Sequence, residues 1–200
     1  MSGAPVSPRV VLARHGQTTW SLSGQHTGLT DLPLTTAGEA EARSLVPRLQ
    51  TQRFARVLCS PLLRAWHTCE LAGFGTRAER DARLVEWDYG AYEGRTSAQI
   101  HAAQPGWQLF RDGCPGGESP EQVAARADSL IATLRAFDGD TLLFSSGHFL
   151  RMLAVRWLGL APTAGALLVV DTASLGILGY EHQLQQPAIR LWNDTGHVPA

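Results

Sequence analysis

An arginine, a histidine and a glycine follow one another at the end of a short apolar run, Val10-Val11-Leu12-Ala13-Arg14-His15-Gly16. A guanidinium beside an imidazole is a pairing suited to anions. The planar fork of Arg14 can hold a phosphate, and a neutral His15 can attack phosphorus. Gly16 lets the backbone turn sharply and come close to a bound group. The same pattern returns at Leu142-Leu143-Phe144-Ser145-Ser146-Gly147-His148. Arg64 follows another apolar run, 56–60, and falls in the first turn of the next helix, where free N–H groups already favour an anion. Between residues 18 and 34, Ser21, His26, Thr27 and Gly28 are candidate hydrogen-bond donors to an anion.

A third ingredient is acid. Glu86, Asp88 and Glu93 lie among Trp87, Tyr89 and Tyr92. Aromatic packing around a carboxyl raises its pKa towards general-acid work. A carboxylate can equally pin a loop through backbone N–H groups, the role expected of two of the three. The residues themselves do not choose among them.

Three chemistries compete for such a set. A serine hydrolase needs an elbow such as GxSxG, which the sequence lacks. Zinc hydrolysis needs closely spaced ligands such as HExxH, and the seven histidines are scattered. Phosphoryl transfer through a phosphohistidine needs a neutral imidazole, cations around the phosphoryl oxygens and an acid for the leaving alkoxide. Only this third chemistry uses every residue named, and it calls for no metal and no cofactor. All seventeen basic residues are arginine, which excludes a Schiff-base or P-loop lysine. A net charge of −1 gives no pull towards nucleic acid or membrane. The partner expected is a small phosphorylated substrate.

The elements that position these residues follow from the pattern. Residues 10–13, 56–60 and 141–144 read as buried strands, being apolar and too short for helices. Their carboxyl ends carry the candidate residues, the side of an open α/β sheet where ligands bind. Residues 18–34 read as a long polar loop. A capping box at Thr36-Ala37-Gly38-Glu39 opens a helix to about Gln50. Pro61 fits the first turn of a helix that turns Leu62, Leu63, Ala65, Trp66, Cys69 and Leu71 inward. Residues 82–87 read as extended. Residues 98–103 form a short helix, followed by a Gly- and Pro-rich loop, and the region 88–118 forms a small lid. Ser119 and Pro120 start a long helix with Val123, Ala127, Leu130, Ile131 and Leu134 on its apolar stripe. Residues 150–158 are helical, and 166–171, 174–181 and 188–192 read as further strands, some antiparallel. Two hundred residues and 44% hydrophobic content suit one domain, 1–200. Three cysteines without CxxC spacing suggest reduced thiols and a cytoplasmic protein. Residues 1–8 read as a frayed tail, not a signal peptide. A homodimer through an edge strand is the candidate assembly.

Arg14-His15-Gly16, Ser60-Pro61-Leu62-Leu63-Arg64-Ala65, Glu86 within Leu84-Val85-Glu86-Trp87, and Gly147-His148 occur in that order. Together they resemble the histidine phosphatase superfamily, the phosphoglycerate-mutase-like fold, over nearly the whole chain. The resemblance implies a three-layer α/β/α sandwich with a mostly parallel sheet. It implies His15 as phosphorylated nucleophile, Glu86 as proton donor, and Arg14, Arg64 and His148 as the phosphate pocket. Residues 20–31 and 86–90 look most like a branch of small phosphatases acting on phosphorylated metabolites. Ser21 stands where mutases of the family usually carry Asn. The alternatives are a cofactor-dependent phosphoglycerate mutase and a phosphosugar-binding protein without activity.

Overall fold

The computed structural model describes residues 7–199, so most of the tail expected at 1–8 lies outside the described residues. Six strands form one sheet: β1 (Val10–Arg14), β2 (Arg56–Cys59), β3 (Glu79–Arg80), β4 (Thr141–Ser145), β5 (Leu175–Tyr180) and β6 (Pro187–Asp194). Their order is β3-β2-β4-β1-β5-β6. The β3–β2, β2–β4 and β4–β1 pairs are parallel; β1–β5 and β5–β6 are antiparallel. The central strands are apolar along their length because helices cover both faces. Val11, Ala13, Val57 and Phe144 pack with Leu45, Leu49, Ala65 and Cys69 on one side. Val10, Leu12, Leu58 and Leu143 pack with Leu130, Leu134, Leu150 and Leu153 on the other. The result is the three-layer α/β/α sandwich.

The register of β1 and β4 decides where the chemistry falls. Arg14 pairs with Ser145 at the last rung. His15 and the Ser146-Gly147-His148 stretch therefore leave the sheet side by side.

The helices are α1 (Thr19–Ser23), α2 (Thr36–Ser44), α3 (Val46–Leu49), α4 (Leu63–Leu71), α5 (Ser97–Ala103), α6 (Leu109–Asp112), α7 (Pro120–Arg135) and α8 (Gly147–Trp157). The start of α7 and its buried stripe match the sequence reading, with Ser119 accepting from the Gln122 N–H and Pro120 in the first turn. Several expectations are corrected. The loop at 18–34 contains α1, because Thr18 and Ser21 form a reciprocal cap and Gly24 ends the turn at φ 74°. The N-cap of α2 is Thr35, not Thr36, and the helix expected to run on to Gln50 is interrupted before Pro47. Pro61 precedes α4, whose N-cap is Leu62, and Leu63 faces solvent. Residues 82–84 make a 3-10 turn capped by Asp81 instead of an extended segment. α6 lies inside the expected Gly/Pro loop, and α8 starts at Gly147, three residues early.

Residues 166–171 are not a strand. The segment leaves a 3-10 turn at Pro162–Leu167 and stays outside the sheet. Its carbonyls serve side chains: Trp192 donates to Val169 O, and Arg14 donates to Val170 O at 2.5 Å. From the lid region, Tyr92, Trp107, Leu109 and Phe110 join the core beneath α7 and α8. Cys59, Cys69 and Cys114 are free and buried. Among the described residues no helix is long and apolar enough to cross a membrane.

Candidate active site

His15, the first residue past β1, is 4% exposed. Its Nδ1 lies 2.8 Å from the Gly16 carbonyl oxygen. A carbonyl only accepts, so Nδ1 carries the proton and Nε2 keeps its lone pair. Burial, then the charges of Arg64 and Arg14, hold the imidazole well below the usual histidine range. His15 is therefore a neutral imidazole at neutral pH, with the lone pair of Nε2 free.

The loop after it is locked. The Gly16 N–H donates to Thr68 Oγ1 at 3.0 Å, and Thr68 in turn donates to the Arg64 carbonyl. A Cβ on Gly16 would stand 2.2 Å from the Gly38 carbonyl oxygen. The close approach that requires glycine is thus to α2, not to a bound group as expected.

Arg14 runs from the end of β1 across the N-terminus of α8. A Cβ on Gly147 would come within 3.3 Å of its guanidinium carbon, so the glycine leaves that passage open. Arg14 spends one N–H on Val170 O, while its buried Nε has no partner. Arg64 is fully buried on α4 and donates to the carbonyls of Thr27, Gly28 and Thr30 at 2.8–3.1 Å. Its Nε also lacks a partner, as does the hydroxyl of Ser146. Burial lowers the pKa of both arginines, and Glu86 opposes that effect in each. They remain cations with donors unspent beside a neutral imidazole.

Glu86 is 4% exposed. Oε1 accepts from the N–H groups of Trp87 and Phe149, and Oε2 accepts from that of His148 at 2.9 Å. The carboxylate therefore caps α8, whose own N-cap Ser146 makes no capping bond. Three backbone donors thus surround the Glu86 carboxylate. Asp88 and Glu93 pin loops instead. Asp88 accepts from the Gly90 N–H; Glu93 accepts from those of Gly28 and Thr30.

His148 has its Nδ1 2.6 Å from the Tyr89 hydroxyl. Tyr89 is buried, and burial raises its pKa well above the phenol range, so it stays protonated and donates. His148 Nε2 then carries the ring proton. Burial first, then Arg151, His26 and Arg14, keep this imidazole neutral.

These groups enclose a cavity of about 260 Å³ lined by Arg14, His15, Ser21, Thr27, Glu86 and His148 among others. Of the residues expected in the site, Gly28 is diverted: Glu93 takes its N–H, and the residue does not line the cavity. Arg64 underlies the wall instead of lining it. The Ser21 hydroxyl lines it but donates to Thr18 O, as part of the cap of α1. His26 lines it too, its pKa pushed down to about 4 by burial. Tyr89 and Arg151 line the cavity and were not anticipated as site residues. The signal for Arg151 was its place three residues after His148, on the same helix face.

A model of the histidine phosphatase superfamily (branch 1) matches residues 10–195. An acid phosphatase of Mycobacterium tuberculosis (strain ATCC 25618 / H37Rv) is 42% identical over 194 residues, covering 94% of this chain and 94% of its own length. Sedoheptulose 1,7-bisphosphatase of Saccharomyces cerevisiae is 35% identical over 188 residues, covering 78% of this chain and 69% of that protein. The solved structure of an open reading frame from Mycobacterium tuberculosis aligns with a TM-score of 0.89 at 40% identity, covering 95% of this chain and 99% of that one. The chain belongs to the histidine phosphatase superfamily, and its α/β fold with a mostly parallel six-stranded sheet is the fold of that family's solved members.

Proposed function

We propose that the protein is a phosphomonoesterase that hydrolyses small phosphorylated metabolites, sugar phosphates among them, through a phosphohistidine on His15. The observation that carries the reading is the neutral His15, its Nδ1 proton held by Gly16 O and its Nε2 free. Nε2 attacks phosphorus; the P–N bond forms as the bond to the ester oxygen breaks. Glu86, when protonated on Oε2, gives its proton to that oxygen. Water then attacks phosphorus, the P–N bond breaks, a water proton returns to Glu86, and inorganic phosphate leaves. Arg14 and His148 Nε2–H bind the phosphoryl oxygens, with Arg64 adding charge and bracing the 27–30 segment. Ser21 and Thr27 line the approach, and residues 88–118 act as the lid of a single domain.

Charge neutralisation by arginine and histidine replaces the divalent cation used elsewhere. The three buried free thiols support a reducing, cytoplasmic setting. β6 is a sheet edge through which a second copy would pair to give the homodimer.

The test is hydrolysis of p-nitrophenyl phosphate with quench-flow into base. Phosphate should appear on histidine, stable to base and labile to acid. His15→Ala should lose at least about 10⁴-fold in kcat, and EDTA should leave the wild-type rate unchanged. With phosphoglycerates, release of inorganic phosphate should exceed interconversion; the reverse would favour the mutase reading. Retained activity in His15→Ala would overturn the mechanism, and binding without turnover would leave a phosphosugar-binding protein.

A further inference from the structure

Arg151 has no task in the mechanism above. It follows His148 by one turn of α8 and lines the same cavity. Its Nε donates to the Gly165 carbonyl at 2.9 Å, and its guanidinium lies over the Phe110 ring, 4.6 Å from the centroid. Those contacts fix the plane of the group. Among the described residues it pairs with no carboxylate, and its terminal nitrogens have no hydrogen-bond partner. A guanidinium held in place with its outer donors unspent is prepared for a planar anion.

The surroundings say which anion. Arg151 also lines a second cavity of about 200 Å³, shared with the first through His26, Ser97 and His148 and extending to His101, Trp107 and Gln108. That chamber contains neither Arg14, His15 nor Glu86, and no carboxylate lines it. His15 lines only the first chamber, whereas Arg151 and His148 line both. A phosphoryl group on His15 thus occupies the first chamber and sends its alcohol portion towards the second. Burial disfavours the charge on Arg151, an effect that Glu86 and Tyr89 oppose and Arg14 adds to, and an anion docking on its free donors offsets it further.

Resting on the phosphatase reading, we propose that Arg151 binds a second anionic group, carboxylate or phosphate, carried by the leaving alcohol. The substrate class is then phosphomonoesters with two anionic ends, and Arg151 is the residue that selects it.

The experiment compares kcat/KM for four substrates. 3-Phosphoglycerate and glycerol 3-phosphate share a three-carbon skeleton and differ in a carboxylate against a hydroxymethyl group. Fructose 1,6-bisphosphate supplies a second phosphate, and p-nitrophenyl phosphate a neutral aryl leaving group. The wild type should prefer the two substrates with a second anion over glycerol 3-phosphate. Arg151→Met should lower kcat/KM for those two by roughly tenfold to a hundredfold, and lower the other two at least tenfold less. Arg151→Lys, which keeps charge without the fork, should restore part of the difference. The larger of the two losses identifies carboxylate or phosphate as the preferred anion. Equal losses on all four substrates would overturn the proposal and make Arg151 a ligand of the transferred phosphoryl group. A wild type without preference for the second anion would overturn it whatever the variants do. A wild type that turns over none of the four would instead remove the phosphatase reading, and this proposal with it.

Discussion

Two neutral imidazoles of opposite tautomer line the cavity. His15 gives its Nδ1 proton to a carbonyl, while His148 accepts at Nδ1 from Tyr89. One presents a lone pair and the other a proton, although both are histidines following a strand. Tyr89 sets the difference. Tyr89→Phe should release Nδ1 of His148 and let the ring proton redistribute. Loss of one buried hydrogen bond predicts a roughly three- to tenfold fall in kcat/KM. A shift of the His148 ring towards the other tautomer should appear in ¹⁵N NMR of labelled protein, a change that simple loss of packing would not produce. At this scale the sequence was readable where chemistry follows the chain locally. Arg14 and His15 could be found because the strand ends there. The choice of Glu86 over Asp88 and Glu93 needed the family resemblance, since all three share the aromatic stretch. Gly28 was misjudged because its N–H partner, Glu93, lies 65 residues away.

Helix α8 is the element on which the site depends. Its N-terminus carries His148 and Gly147, and Glu86 supplies the cap that Ser146 does not. The residue proposed as general acid is thus also a structural acceptor, and one substitution should expose both roles. Glu86→Gln turns an amide NH₂ towards backbone donors, leaving at least one N–H unsatisfied at a cost of about 1–3 kcal/mol. The melting temperature should drop by several degrees in differential scanning calorimetry. Activity should fall most on alkyl phosphates and least on p-nitrophenyl phosphate, whose leaving group needs little protonation. Equal losses on both would leave Glu86 as a cap alone. β1, β2, β4 and α7 were legible because apolar runs and a Ser-Pro start are local signals, whereas β3 is two exposed charged residues without such a signal. α1 was missed because its cap uses Ser21 where a capping box usually carries Glu or Gln. Residues 166–171 were misread because an apolar run was taken as a strand of the sheet, whereas Leu167 is 84% exposed and Val169 64%.

For the molecule as a whole, the carboxyl-edge site follows from the sequence pattern and the layer order from the family resemblance, but the depth to which the site is buried follows from neither. That depth couples activity to stability through His15, His26 and His148, all held neutral chiefly by burial. In the unfolded chain these rings take up protons below about pH 6.5. The folded state resists protonation until lower pH, about 4 for His26. The unfolded state therefore binds more protons between these limits, and stability must fall as pH falls through that window. Each such ring contributes up to about 1.4 kcal/mol per pH unit. The paired carboxylates act lower. Asp81 is pushed up by burial but brought below its usual value by Arg83, and Asp194 is lowered by the Gly196 N–H and Arg48. Their contributions are lost only as pH drops below the ordinary aspartate value of 3.8. Urea unfolding between pH 7 and 4.5 should then show stability declining from about pH 6.5, with a shallower slope in His26→Phe. An identical slope in that variant would mean that His26 is not buried neutral. Activity should behave differently over the same range. Because His15 stays unprotonated well below pH 6.5, kcat/KM corrected for the second ionisation of the substrate should show no inflection near 6.5. The acid limit should instead track the unfolding midpoint measured at each pH. An inflection at 6.5 that precedes unfolding would show His15 titrating like a solvent-exposed histidine, and the buried nucleophile would have to be abandoned.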